Sequence, residues 1–142
     1  MKRTREQVIW DFVQSWLRKA ESDLRAAELL LSLDQEDYFA AGFHAQQAAE
    51  KFLKALLVWL QIPFPKTHEI ARLTDLGTQG DPSLRAELQS ADMLTPFGVE
   101  FRYPSDEVAD AELAREAVNQ AKNVREAVLG RLAEWLAKGR PL

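Results

Sequence analysis

Cysteine is absent from this chain of 142 residues, and histidine occurs only twice. The first absence excludes a disulfide scaffold, a cysteine nucleophile and any cysteine-ligated zinc, and it is compatible with a reducing compartment. The few glycines form no phosphate-cradling loop: Gly77-Thr78-Gln79-Gly80 lacks the following lysine and reads as a turn. No run of about 18 apolar residues occurs, so no transmembrane helix is expected. The basic start Met1-Lys2-Arg3-Thr4-Arg5 leads into no uninterrupted apolar stretch, does not read as a secretory signal, and leaves the cytoplasm as the expected location. Acids outnumber Lys and Arg, 22 against 18, giving a net charge of −4. The chain as a whole therefore does not advertise nucleic-acid binding. Two histidines without a carboxylate cluster at ligand spacing make no metal site, no serine has a histidine close in sequence, and no cofactor is expected.

What the chain does have is helical periodicity from end to end. With 46% hydrophobic and 28% charged residues, it suits one soluble domain over residues 1–142 with a substantial core. No strand-type alternation persists. A first helix runs from about Glu6 to Leu33, its apolar stripe formed by Ile9, Phe12, Trp16, Ala20, Leu24, Ala27 and Leu31. Asp34 or Asp37 can cap a second helix from about Tyr38 to Gln61, which Pro63 and Pro65 end. Thr67 caps a short helix that fades at Gly77, and Asp81-Pro82 starts another that reaches Met93 or Leu94. Thr95-Pro96-Phe97-Gly98 breaks that helix. A last long helix starts near Ser105, with Asp106 and Glu107 in its first turn. It buries Val108, Ala111, Ala114, Val118, Ala121, Val124, Val128, Leu132 and Trp135, and Gly139 and Pro141 close it. The expected fold is all-α, an up-and-down bundle of three long and two short helices. The four tryptophans, Trp10, Trp16, Trp59 and Trp135, fall on the long helices as core or interface anchors.

The second helix holds most of the chemical information. At about 100° per residue, Tyr38, Ala41, Ala45, Ala49, Phe52, Leu56 and Trp59 share one face, widened by Gly42, Leu53 and Leu60. His44, Gln47, Glu50, Lys51 and Lys54 gather opposite, as surface neighbours three and four apart. One reading is a solvated face with a Glu50–Lys54 pair. The other is a donor-rich strip for an anion: lysine supplies charge, glutamine an amide, histidine a donor near neutral pH. Asp23 bears on that choice, because it lies within the first helix's apolar stripe and needs a cation or donors there. Lys51, Lys54 and Arg102 are its candidate partners, in what reads first as a structural ion pair. His68 is either an exposed residue in the first turn of its helix or a second donor facing the His44 strip, with Lys66 and free amides beside it. Arg102 and Tyr103 precede the last helix, where Arg102 can cap carbonyls, pair with an acid or meet a ligand.

These residues resemble a known family. Trp16-x3-Ala20-x2-Asp23-Leu24-x2-Ala27 is similar to the opening of HEPN domains. Phe43-His44-Ala45-Gln46-Gln47-Ala48-Ala49-Glu50-Lys51-x2-Lys54-Ala55 resembles their second-helix signature. Lys66-Thr67-His68-Glu69-Ile70 resembles the start of their next helix, and Arg102-Tyr103-Pro104 the Arg-Tyr-Pro element before their last one. The resemblance covers nearly the whole chain with the motifs in order. It implies a bundle of four or five helices, commonly a homodimer, and a frequent partner, a minimal nucleotidyltransferase, in what are often toxin–antitoxin pairs.

The resemblance also implies a test for ribonuclease activity. Active HEPN ribonucleases resemble one another in an arginine and a following histidine with four to six residues between them. The arginine stabilises charge on the scissile phosphate and the histidine moves a proton. After Arg102 the positions in question are Glu107, Val108 and Ala109, and no histidine follows His68. The expectation is therefore a non-enzymatic binding module without catalytic residues. His44, Gln47, Lys51, Lys54, His68 and Arg102 would bind a nucleotide, RNA or another polyanion, and Asp23, Glu50 and Tyr103 would be structural polar residues. The alternatives are a HEPN ribonuclease toxin with a displaced histidine and a purely structural interaction module whose polar strip is an interface.

Overall fold

The computed structural model describes residues 2–33, 37–99 and 110–142. In chain order it contains α1 (Arg5–Ser32), α2 (Tyr38–Leu60), α3 (Ile70–Gly80), α4 (Leu84–Glu87), a 3-10 segment (Gln89–Leu94), α5 (Thr95–Val99) and α6 (Ala111–Lys138). No strand occurs among the described residues, and the expected all-α bundle is the fold. Arg102 and Tyr103, and the expected start of the last helix at Ser105 with Val108 in its core face, lie outside the described residues.

Helix α1 begins with a capping box. Gln7 N donates to Thr4 Oγ1 at 3.1 Å, and Thr4 N donates to Gln7 Oε1 at 2.9 Å, so two free amides at the helix start are satisfied reciprocally. Its buried positions are Val13, Leu17, Ala20, Leu24 and Ala27. Phe12, expected on the buried stripe, is instead 56% exposed, because the core-facing stripe centres one residue further on, at Val13 and Leu17. Helix α6 is capped by Asp110, whose carboxylate accepts from Leu113 N at 2.8 Å. Its expected core residues Ala114, Val118, Ala121, Val124, Val128 and Leu132 are all buried, with Ala111 and Trp135 half-buried. Trp10 and Trp135 pack at 4.8 Å between ring centroids, and Trp16 meets Phe64 edge-on at 6.5 Å.

Helix α2 is central, packed by α1, α6, α3 and α5. It stops just before the two prolines, at Gln61, which adopts a left-handed conformation (φ 59°). Ile62 N then donates back to Leu57 O at 2.9 Å, the bond of a Schellman ending. Close approach of α5 to α2 is made through two glycines. A Cβ on Gly42 would lie 2.1 Å from the Phe97 ring, and one on Gly98 would lie 2.8 Å from the Gln46 side chain.

The stretch between α2 and α6 departs from expectation in four places. Gly77-Thr78-Gln79-Gly80, expected as a turn after a helix fading at Gly77, is the last turn of α3. Thr67 does not cap α3: its hydroxyl accepts from Glu69 N at 3.1 Å, and the α3 amide of Ile70 donates to Thr95 Oγ1 of α5 at 3.2 Å. The single helix expected from Asp81 to Leu94 is divided into α4 and the 3-10 segment. The spacing of its buried side chains explains why: Leu88, Ala91 and Leu94 recur every three residues, the period of a 3-10 helix, which keeps all of them on the core. Thr95-Pro96-Phe97-Gly98 is itself helical as α5, since proline is tolerated in a first turn, and it seats Phe97 in the core.

Candidate functional site

Three pieces of the chain converge on the face of α2 around His44 and Glu50. Helix α1 supplies Asp23, α2 supplies His44, Gln46, Gln47, Glu50, Lys51 and Lys54, and the loop before α3 supplies His68. They form two units of the same composition. In the first, the Asp23 carboxylate meets His44 Nδ1 at 2.9 Å through one oxygen and Lys51 Nζ through the other. In the second, the Glu50 carboxylate meets His68 Nδ1 at 2.7 Å through one oxygen and Lys54 Nζ at 3.4 Å through the other. Each unit is one carboxylate held between one histidine and one lysine.

The direction of each imidazole follows from its partner. An ionised carboxylate has no hydrogen to give, so Nδ1–H donates in both histidines and Nε2 is the free nitrogen. Neither Nε2 makes a hydrogen bond among the described residues. The two side chains remain 34% and 53% exposed, for His44 and His68 respectively, so both rings stand at the accessible edge of the cluster.

Behind that edge the cluster is buried, and the solvated-face reading of the α2 strip does not hold. Glu50 and Lys54 are 3% and 8% exposed. Helix α2 has neighbours on several sides, so the strip opposite its apolar face is covered by α1 and by the loop before α3 rather than by water. The expected Glu50–Lys54 pair forms. Lys54 Nζ also lies over two aromatic rings, 5.4 Å from the Trp16 centroid and 5.9 Å from that of Phe64, which suits an ammonium withdrawn from water. Of the three candidate partners for Asp23, Lys51 takes the role and Lys54 is committed to Glu50. Arg102 lies outside the described residues.

Gln46 was not among the residues singled out from sequence, yet it holds the second unit in place. It is fully buried, and both ends of its amide are used: Nε2 donates to His68 O at 3.0 Å, and Oε1 accepts from Gln47 Nε2 at 2.7 Å. The loop carrying His68 is thereby fixed to α2. The signal was legible: Gln46 falls on the same turn-to-turn row as Gly42, Ala49 and Leu53, the stripe that widens the apolar face. A glutamine in that row needs partners of its own.

A model of the HEPN domain family matches residues 13–132. The chain is a HEPN domain protein. The matched span contains the whole Asp23–His44–Lys51 and Glu50–His68–Lys54 cluster. No curated protein and no solved structure matches the chain. In this HEPN protein no helix among the described residues is long and apolar enough to cross a membrane. No group of three or more His, Cys, Asp or Glu side chains able to hold a metal occurs among those residues either.

The cluster's charge bears on its chemistry. With both imidazoles neutral, Asp23 and Glu50 balance Lys51 and Lys54, and the four charges cancel. The edge itself is formed by the two imidazoles, each held by a carboxylate on Nδ1. Such a group can donate to an oxyanion or move a proton, and the carboxylate fixes the ring in either task.

Proposed function

We propose that this HEPN chain is a non-catalytic binding module that takes a nucleotide or other small phosphate-bearing ligand at the exposed edge of the two carboxylate–histidine–lysine units. The observation that supports this is the shared pairing of His44 and His68, each with Nδ1 on a carboxylate and with no hydrogen bond at Nε2 among the described residues. His44 and His68 would donate to phosphate oxygens, Lys51 would add charge at the rim, and Gln47 would offer its second amide hydrogen. Lys54 would sit behind them, holding Glu50. Because the lysines are already balanced by acids, the site suits a ligand of few charges better than a long polyanion such as RNA. The module would work beside a separate minimal nucleotidyltransferase, in a toxin–antitoxin-like pair, and would form a homodimer through its long helices. Phe12 and Leu29 of α1, 56% and 62% exposed, supply apolar surface for that contact.

The ribonuclease alternative is disfavoured by the position of both histidines. The residues at the required spacing ahead of His44 are Asp37, Tyr38 and Phe39, and those ahead of His68 are Gln61, Ile62 and Pro63. None is arginine.

The deciding experiment is thermal unfolding of the purified chain with and without millimolar ATP. The expected result is a rise in Tm that the double substitution His44→Gln, His68→Gln removes, the ATP shift of each protein being read against its own unliganded Tm. A wild-type protein indifferent to ATP would overturn the reading. RNA cleavage lost in His44→Ala or His68→Ala would replace it with the nuclease. Loss of a co-purifying transferase on substitution of the edge residues, with no ATP effect, would replace it with the interaction module.

A further inference from the structure

Gln46 sets the direction of a second amide, and with it what the edge of the cluster recognises. A carbonyl oxygen only accepts, so the end of the Gln46 amide facing His68 O, 3.0 Å away, is the Nε2 donor. Its Oε1 is thereby turned to Gln47, and the group that meets it at 2.7 Å is Gln47 Nε2. Gln47 is left with its carbonyl Oε1, an acceptor, outside this chain of bonds. No hydrogen bond to that oxygen occurs among the described residues. The one buried side-chain polar atom without a partner among those residues is Thr74 Oγ1, so Gln47 Oε1, on a half-buried residue, is within reach of solvent.

The direction is fixed from the inside. Gln46 is 0% exposed and has no water to turn to, and α5 packs directly against its amide, where a Cβ on Gly98 would lie 2.9 Å from Oε1. Reversing the Gln46 amide would set its Oε1 against His68 O, two acceptors without a proton between them. Reversing the Gln47 amide would do the same against Gln46 Oε1. A surface glutamine ordinarily presents either end of its amide, whereas Gln47 keeps its carbonyl free.

Gln47 also stands in the right place. It lies three residues after His44, and three and four residues before Glu50 and Lys51, so on the surface of α2 it falls between the Asp23–His44–Lys51 and Glu50–His68–Lys54 units.

We propose that this fixed acceptor makes Gln47 the specificity-determining residue of the site: the ligand is a phosphate ester that carries a sugar hydroxyl, as a ribonucleotide does, and the hydroxyl donates to Gln47 Oε1. The proposal rests on the nucleotide reading of the same edge and narrows it. A chain of phosphate oxygens is anionic and can only accept, so it gains nothing from a carbonyl, while a sugar hydroxyl supplies the missing proton without adding charge. Gln46 touches no ligand and is the positioning residue that keeps the acceptor outward.

Isothermal titration of the full chain with ATP and with 2′,3′-dideoxy-ATP, which lacks both ribose hydroxyls, tests this. The wild-type chain should bind ATP more tightly by about fivefold, the effect of one neutral hydrogen bond. Gln47→Met should bind the two alike. Gln46→Met, which releases the Gln47 amide to turn, should weaken the preference in a folded protein, a ratio that a merely structural role would not move. Should Gln46→Met fail to fold, Gln47→Met decides alone. Equal binding of the two nucleotides by the wild type, or a preference that survives Gln47→Met, would overturn the proposal and leave the nucleotide reading standing. A preference undiminished in folded Gln46→Met would overturn the positioning role. A chain that binds neither nucleotide would end both readings.

Discussion

Glu50 Oε1 lies 2.7 Å from His68 Nδ1, and this contact joins a carboxylate buried in the middle of α2 to a histidine half in solvent. Glu50 is 3% exposed and is satisfied only because His68 and Lys54 approach it from two sides. Replacing Lys54 by Met removes one of the two and leaves a buried charge with a single partner. A loss of about 2 kcal/mol or more is expected in urea unfolding. The double variant Lys54→Met, Glu50→Gln should recover most of it, since the uncompensated charge is then gone. Full additivity of the two single losses would contradict the pairing.

The tautomer of each histidine is fixed by its carboxylate. Long-range 1H–15N spectra of the neutral rings should show Nδ1–H for both His44 and His68. Asp23→Asn should remove that preference at His44 and leave it at His68, because the two units have separate acids. An unchanged His44 signal in the variant would rule out Asp23 as the group that orients it.

Gly42 is a packing requirement. A methyl group there would overlap the Phe97 ring, which is 1% exposed and has no free space to move into. Gly42→Ala should destabilise the protein by about 1–3 kcal/mol through overpacking, although alanine favours helix. Adding Phe97→Leu should return part of that loss. A Gly42→Ala protein as stable as wild type would show that α5 does not pack on α2 in solution.

The chain ends are joined by Asp11, which accepts from Arg140 at 2.9 Å and 3.1 Å and from Arg3 at 2.8 Å. The hydrogen bonds from Arg140 and then Arg3 lower its carboxyl from 3.8 to about 2. A carboxyl lowered by folding contributes stability that is fully present above its unfolded value and is lost as pH falls through the folded one. The Tm difference between wild type and Asp11→Asn should therefore be constant at neutral pH and shrink between pH 3.8 and about 2. It should also diminish in high salt, because the group is at the surface. A difference that grows on acidification would contradict the sign.

The strained position at the end of α2 gives a change in the stabilising direction. Gln61 is the one described residue other than glycine with positive φ. Gln61→Gly should raise stability by up to about 1 kcal/mol in thermal or urea unfolding, because glycine adopts that conformation without a Cβ clash. The exposed bond from Arg5 to Gln61 Oε1 is lost in the exchange and offsets little of the gain. A destabilised variant would show that this side-chain contact outweighs the backbone strain.

The sequence by itself determined the helices and their buried faces. Periodicity placed α1 and α2 nearly to the residue, and it placed the body of α6, whose N-cap is Asp110 rather than a residue near Ser105. Ala114, Val118, Ala121, Val124, Val128 and Leu132 are buried as their spacing required, because side-chain direction along a helix follows from 3.6 residues per turn. It also brought His44, Gln47, Lys51 and Lys54 onto one surface and matched the HEPN family. Only the tertiary structure decided what that surface faces. Whether Glu50 and Lys54 meet water or aromatic rings, whether Asp23 pairs with Lys51 or Lys54, and whether His68 turns toward α2 depend on neighbours supplied by α1 and by the loop before α3. The split of the 3-10 segment from α4 and the exposure of Phe12 are of the same kind. A helical wheel records angles within one helix. Burial, and with it the cost of a charge, is set by what other helices bring to that angle.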